Sequence, residues 1–261
     1  EPRLSMRKRQ KLVLTAILLM LGMWGIWSVG LDWKYPLIGL LTVVSYLMSA
    51  WALKEGLTGV EWVMVPLPPT LFTASVALFY ILLPQSIWVR LLIGVLYGVG
   101  QYVLLLTANI FSVAAIRTIA LFRAALAVGF VMTILTGFFL YDTILSFRLP
   151  FWALMLWVAF VSIGLLMPGL WSVNLEKKIS KTIIGYSIWL SAVMGIIAGA
   201  ISIWPISIAV ASLFLCTMLY IMLGISQHHF SQRLFSKTVW EYVTVGAVVL
   251  VTMLLASGRG V

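Results

Sequence analysis

Gln101 is the most polar side chain deep inside an apolar stretch of this sequence. It follows Gly94-Val-Leu-Tyr-Gly98 and Gly100, whose small surfaces let helix backbones approach closely. An amide there has two uses: a hydrogen bond between helices, or a substrate contact in a central cavity. The first is the commoner use, and Gln101 is read as an interhelical bond. The second candidate is Val63-Met-Val-Pro-Leu-Pro-Pro69, followed by Thr70 and Thr73. Proline supplies no backbone donor and disfavours helix in the residue before it. Carbonyls freed at Pro66, Pro68 and Pro69 must therefore be met by protein or by water in a cavity. Interrupted helices of this kind point to transporter sites when both halves of a chain carry them. The plainer reading, that the prolines shape the start of a helix at the interface, is preferred. Pro66, Pro68, Pro69, Thr70, Thr73 and Gln101 are the candidate cavity or substrate contacts.

The remaining polar groups promise less. Glu241 stands four residues after Lys237 at the start of an apolar run, where a carboxylate suits the helix dipole and a nearby cation. His228-His229 is the only histidine pair. Adjacent residues on a helix point apart, and a metal needs three or four ligands, so a solvated loop is expected and no metal ligand is assigned. There is no Gly-x-x-x-x-Gly-Lys loop, no His-Glu-x-x-His and no Gly-x-Ser-x-Gly. The seven carboxylates form no pair within an apolar run. No catalytic residue, cofactor site or metal site is expected, and the chain is read as a non-enzyme. Gly94 with Gly98, and Gly195 with Gly199, are small-xxx-small faces. They are expected to pack helices within the bundle, with a homodimer seam as the other use of the same spacing.

The elements that hold these residues follow from composition. The 261 residues are 63% hydrophobic and 9% charged, against roughly 25% charged in a soluble domain. That is too little polar surface for a water-exposed globule. The formal charge of +10 does not mark a nucleic-acid binder, because the cations fall between apolar runs and do not gather on one face. The single cysteine, Cys216, excludes an intrachain disulfide.

Met6-Arg-Lys-Arg-Gln-Lys11 precedes eighteen uncharged, mostly apolar residues, 12–29. Such a run can cross a bilayer core as a helix, and the basic cluster is retained on the cytoplasmic side. Its length and its tryptophans (Trp24, Trp27) favour an uncleaved signal anchor over a cleaved signal peptide, and Met6 is a plausible natural start. The later spans run from Tyr35 to Leu53, a short one from Thr70 to Leu83 starting at Pro68 or Pro69, Ile87 to Ala108, Ile119 to Leu140, Phe151 to Trp171, Thr182 to Trp204, Ile206 to Ser226 and Val239 to Ala256. Leu31 to Lys34 and Tyr141 to Pro150 are outer turns, Asn109 to Thr118 an inner link, and Pro168-Gly169 is expected to break the sixth span. Tryptophans and tyrosines near span ends, Trp51, Tyr141 and Trp171 among them, form the interfacial belt.

This layout places Arg3, Arg7, Lys8, Arg9, Lys11, Lys54, Arg117, Arg123, Lys177, Lys178, Lys181, Arg233 and Lys237 inside. Lys34, Arg90, Arg148 and Arg259 lie outside. The expected fold is all-α: one polytopic transmembrane domain over 1–261, with about nine spans. The arrangement is 1 + 4 + 4: the anchor 12–29, a four-span unit 35–140 and a second unit 151–256. A shift of 119 or 120 residues lays Phe111-Ser112 on Phe230-Ser231 and Trp51 on Trp171. The two units could then be parallel copies, although apolar helices of equal length also align by chance.

The segment Leu67-Pro-Pro-Thr-Leu-Phe-Thr73 to Leu78-Phe-Tyr-Ile-Leu-Leu-Pro84 resembles uncharacterised multi-span bacterial membrane proteins. That resemblance implies no activity and transfers no site residue. The expected location is the bacterial cytoplasmic (inner, plasma) membrane, with the amino terminus inside and the carboxyl terminus outside. The expected role is that of a structural or accessory membrane subunit. A carrier or flippase for a lipid or other largely apolar molecule is the alternative. Membrane lipid and other membrane proteins or a second copy are the expected partners, and nucleic acid is not.

Overall fold

A computed structural model describes residues 8–84, 86–113 and 119–257. Arg3, Met6, Arg7, Arg117 and Arg259 lie outside the described residues. Among those described there is no strand, and ten helices follow one another. They are α1 (Lys8–Trp27), α2 (Leu31–Leu53), α3 (Glu61–Met64), α4 (Leu67–Ile81), α5 (Ile87–Phe111), α6 (Ile119–Ser146), α7 (Phe151–Asn174), α8 (Lys181–Ser202), α9 (Ile208–Phe230) and α10 (Ser236–Ser257). With α3 and α4 taken as one interrupted crossing, nine of these elements are long and apolar enough to span a membrane. The chain is an integral membrane protein, an all-helical bundle of about nine spans.

Several helices run past the expected boundaries. α2 begins at Leu31, not Tyr35, so the expected outer turn is already helical. Lys34 sits in it with only 5% of its surface exposed. α6 continues through Tyr141 to Ser146, and most of the expected outer loop is its last turns. α7 is not broken at Pro168: the helix carries the proline inside it and ends at Asn174. Membrane helices tolerate such a proline where neighbouring groups take up the freed backbone. The end comes instead at Leu175, in the left-handed region (φ 47°), whose N–H closes on the Trp171 carbonyl at 3.0 Å. α8 and α9 carry their own serine caps: Ser180 accepts from the Thr182 N–H and Ser207 from the Val210 N–H.

The contacts divide the chain into two compact units, Glu1–Met132 and Thr133–Val261, so the boundary falls inside α6. In the first unit α1 packs against α2 and α5, α2 against α4, and α4 against α5. The first helix is thus part of this unit's packing. In the second unit α7 packs closely on α8, α9 covers both, and α10 lies against α9. Bonds that join the last half of α6 to this unit include the Tyr141 hydroxyl with Ser162 at 2.8 Å, Ser212 donating to Asp142 Oδ1 at 3.0 Å and the Cys216 thiol donating to the Ile134 carbonyl at 3.5 Å. Tyr141 and Trp171 are fully buried and are not belt residues. The Trp171 indole N–H donates to the Glu176 carbonyl at 3.0 Å. Trp51, which a 120-residue shift lays on Trp171, is exposed and lies under the Lys11 ammonium, 5.9 Å from ring centre to nitrogen.

Candidate functional site

The first unit holds a polar core built from one face each of α2, α4 and α5. Ser45 on α2 and Thr73 on α4 share a hydrogen bond of 2.8 Å, and Thr73 shares another of 2.9 Å with the Tyr97 hydroxyl on α5. One turn along α5, the Gln101 amide N–H donates to Ser45 at 3.4 Å. Gln101, Ser45 and Thr73 have no exposed surface, and Tyr97 has 1%. Phe72 stacks on Tyr97 with ring centres 5.8 Å apart. The Gln101 carbonyl oxygen and the Ser49 hydroxyl, also fully buried, have no hydrogen-bond partner among the described residues.

Of the residues singled out in the sequence, Gln101 and Thr73 meet here through Ser45. Thr70 turns away: its hydroxyl donates to its own Pro66 carbonyl at 2.8 Å, and Thr73 makes the same kind of bond to Pro69 at 3.0 Å. Pro66 and Pro69 are buried and Pro68 is half-buried. The prolines interrupt the helix between α3 and α4, with α4 starting at Leu67, just ahead of Pro68 and Pro69. Pro66 cannot donate to the Trp62 carbonyl one turn back, and the Tyr46 hydroxyl of α2 does so instead at 2.9 Å. A side chain on a neighbouring helix thus supplies the donor that the proline lacks, as lipid cannot.

Ser45, Tyr46 and Tyr97 escaped the sequence reading, yet two of them had a signal. Tyr97 precedes Gln101 by four residues, and Ser45 precedes Ser49 by four, so each pair shares a helix face. Tyr46 had none, because its partner is a backbone carbonyl defined only by the fold.

Both small-residue pairs face neighbouring helices inside their own units. A methyl group on Gly94 would overlap the Trp24 indole, and one on Gly98 would meet Met20 Sδ at 2.9 Å, so this face seats α1 on α5. On α8, a methyl at Gly195 would meet the Met155 carbonyl oxygen at 2.6 Å, and one at Gly199 would meet Met155 Cγ at 2.5 Å. That face seats α8 on α7. His228 and His229 are not in a loop; they close α9, where His229 stacks on Tyr186 and His228 lies tilted beside Tyr242. Glu241 is exposed on α10. Among the described residues no three His, Cys, Asp or Glu side chains gather in a way that could hold a metal.

Chemically the polar core is a chain of neutral hydroxyls ended by an amide. None of its four side chains is a carboxylate, imidazole or amine, so it has nothing that would take up or release a proton near neutral pH. What it can do is hold α2, α4 and α5 in one register, or present hydroxyls and an amide to a small polar group. Compared with known proteins, the chain matches no family model, no curated protein and no solved structure.

Proposed function

We propose that this integral membrane protein is a structural or accessory subunit that works through helix packing and protein partners, without catalysing a reaction. The observation that supports this is the closure of the polar core: Gln101, Ser45 and Thr73 have no exposed surface, as expected of an interhelical clasp and not of a cavity lining. Other membrane proteins, or a second copy of the chain, are the partners such a role requires. The second reading is a carrier or flippase for a lipid or other largely apolar molecule. The interrupted α3–α4 crossing and the unpartnered Gln101 carbonyl favour it, since broken helices and spare acceptors mark transport sites. Purification in a mild detergent, with mass spectrometry of everything retained through washing, separates the two. A stoichiometric protein partner supports the subunit. A retained small molecule, lost on Gln101→Leu and without any protein partner, overturns it in favour of the carrier.

The proposed location is the cytoplasmic membrane of a bacterium, amino terminus inside, since that orientation collects most of the cations on one side. Lys178→Cys and Arg148→Cys, each in a Cys216→Ser background, are expected to react with an impermeant maleimide from opposite faces of sealed vesicles. Labelling of both from one face would refute the threading.

A further inference from the structure

A groove of about 360 Å³ runs along the outside of the first unit where α1 and α5 cross. From α1 it takes Arg9, Val13, Ile17 and Met20, and from α5 Val95, Gly98 and Val99. Both sets repeat at three- and four-residue spacing, so each is one stripe of its helix. Gly98 lacks a side chain and deepens the floor, while Val13, Ile17, Val95 and Val99 remain exposed. Apart from Tyr102, whose ring bears a hydroxyl, the walls are apolar except at one end, where the Arg9 guanidinium stands.

Length and charge identify the occupant. Met20 follows Arg9 by eleven residues, about 16 Å of helix, and that is about half of a ~30 Å hydrocarbon core. The groove is therefore one leaflet deep. Arg9 lies in the first turn of α1, at headgroup level. Of the neighbouring charges on that end, Lys11 is committed to Glu55 by a salt bridge. Lys8 also acts on Glu55, and no described residue forms an ion pair with Arg9. A protein helix laid in this groove would have to bring its own anion to Arg9 at the membrane surface, whereas an anionic lipid carries its anion one chain-length from its tail.

The geometry points to a binding site for an anionic phospholipid, with one acyl chain along the α1/α5 groove and the phosphate on Arg9. The lipid belongs to the leaflet at the amino-terminal end of α1. This site is separate from the polar core, and it stands or falls independently of the subunit reading.

The test uses the whole protein in vesicles that contain phosphatidylglycerol or phosphatidylcholine, each bearing the same photoreactive acyl chain. Crosslinks from phosphatidylglycerol are expected to concentrate on peptides carrying Val13 to Met20 and Val95 to Val99. A surface cation attracts anionic lipid by an amount worth about fivefold in occupancy. Arg9→Gln should thus lower phosphatidylglycerol crosslinking about fivefold and leave phosphatidylcholine unchanged. Val99→Trp, which fills the groove, should lower both, while Val131→Trp on exposed α6 surface should lower neither. Crosslinks spread evenly over the lipid-facing helices, or an Arg9→Gln protein with an unchanged preference between the two lipids, would overturn the proposal. Because Arg9→Gln alters only an exposed side chain, that arm remains decisive if Val99→Trp fails to fold.

Discussion

Two glycines of α8 make opposite demands on the same substitution. Around Gly185 a new methyl group meets nothing within 4 Å, whereas at Gly195 it meets the Met155 carbonyl oxygen at 2.6 Å and Ala159 Cβ at 3.1 Å. Replacing glycine by alanine inside a helix gains about 1 kcal/mol of propensity at either place. That gain cancels when the two variants are compared, leaving only the collision. A backbone carbonyl cannot swing aside, so α7 and α8 must separate. Overpacking of this kind costs about 1–3 kcal/mol. Gly185→Ala should therefore melt at or above the parent temperature in detergent, and Gly195→Ala below Gly185→Ala. At about 2–4 °C per kcal/mol the two should differ by roughly 2–12 °C. Gly199→Ala should fall between them, because what it meets is the flexible Met155 side chain at 2.5 Å. Coincident melting of the Gly185 and Gly195 variants would show that α7 and α8 are not in backbone contact there, and the packing reading of the small-residue face would fail.

Further outcomes follow from the same structure. Thr73→Val removes two side-chain bonds between helices, each worth about 0.6 kcal/mol in membrane bundles, so a loss of about 1 kcal/mol is expected in a denaturant titration. Tyr46→Phe leaves the Trp62 carbonyl without its donor and should cost about 0.5–1.5 kcal/mol; an unchanged midpoint would mean that another group fills the place. The hydrogen bond from Lys11, and then its charge, hold the Glu55 carboxyl below its ordinary value of 4.5. The pair's stabilisation is accordingly complete above about that pH and is lost as pH falls through the lowered value. The melting difference between the parent and Glu55→Gln should vanish at the acid end and shrink in salt, since Glu55 is exposed. Cys216 is buried with its thiol 3.5 Å from the Ile134 carbonyl, so a maleimide should label it slowly in the native protein and rapidly after denaturation.

The membrane fold was legible because it rests on runs of apolar residues, and no tertiary detail is needed to read a run of twenty. Boundaries were less so. Pro168 reads as a break from local rules alone, yet α7 passes through it, while the true end at Leu175 uses a left-handed leucine that no composition signals. Lys34, Tyr141 and Trp171 look like interfacial residues by type and position, and tertiary packing buries each of them. The candidate site was half legible. An amide and threonines among apolar neighbours announce themselves, whereas Ser45 and Tyr97 are common membrane-helix residues whose importance lies in what faces them. The Arg9 groove left no trace in the linear order, since its two walls are separated by most of the first unit.

That separation has a cost in time during biosynthesis. The Trp24 and Met20 face of α1 waits for Gly94 and Gly98, about 70 residues further along the chain. At ribosomal rates of about 5–20 residues per second, α1 spends roughly 4–14 s in the bilayer before its main seat is made. Lipid is a tolerable temporary neighbour for methionine and the indole ring, which water would not be. A nascent chain stalled before Gly94 should accordingly show α1 reachable by lipid probes on the very face that the finished protein covers.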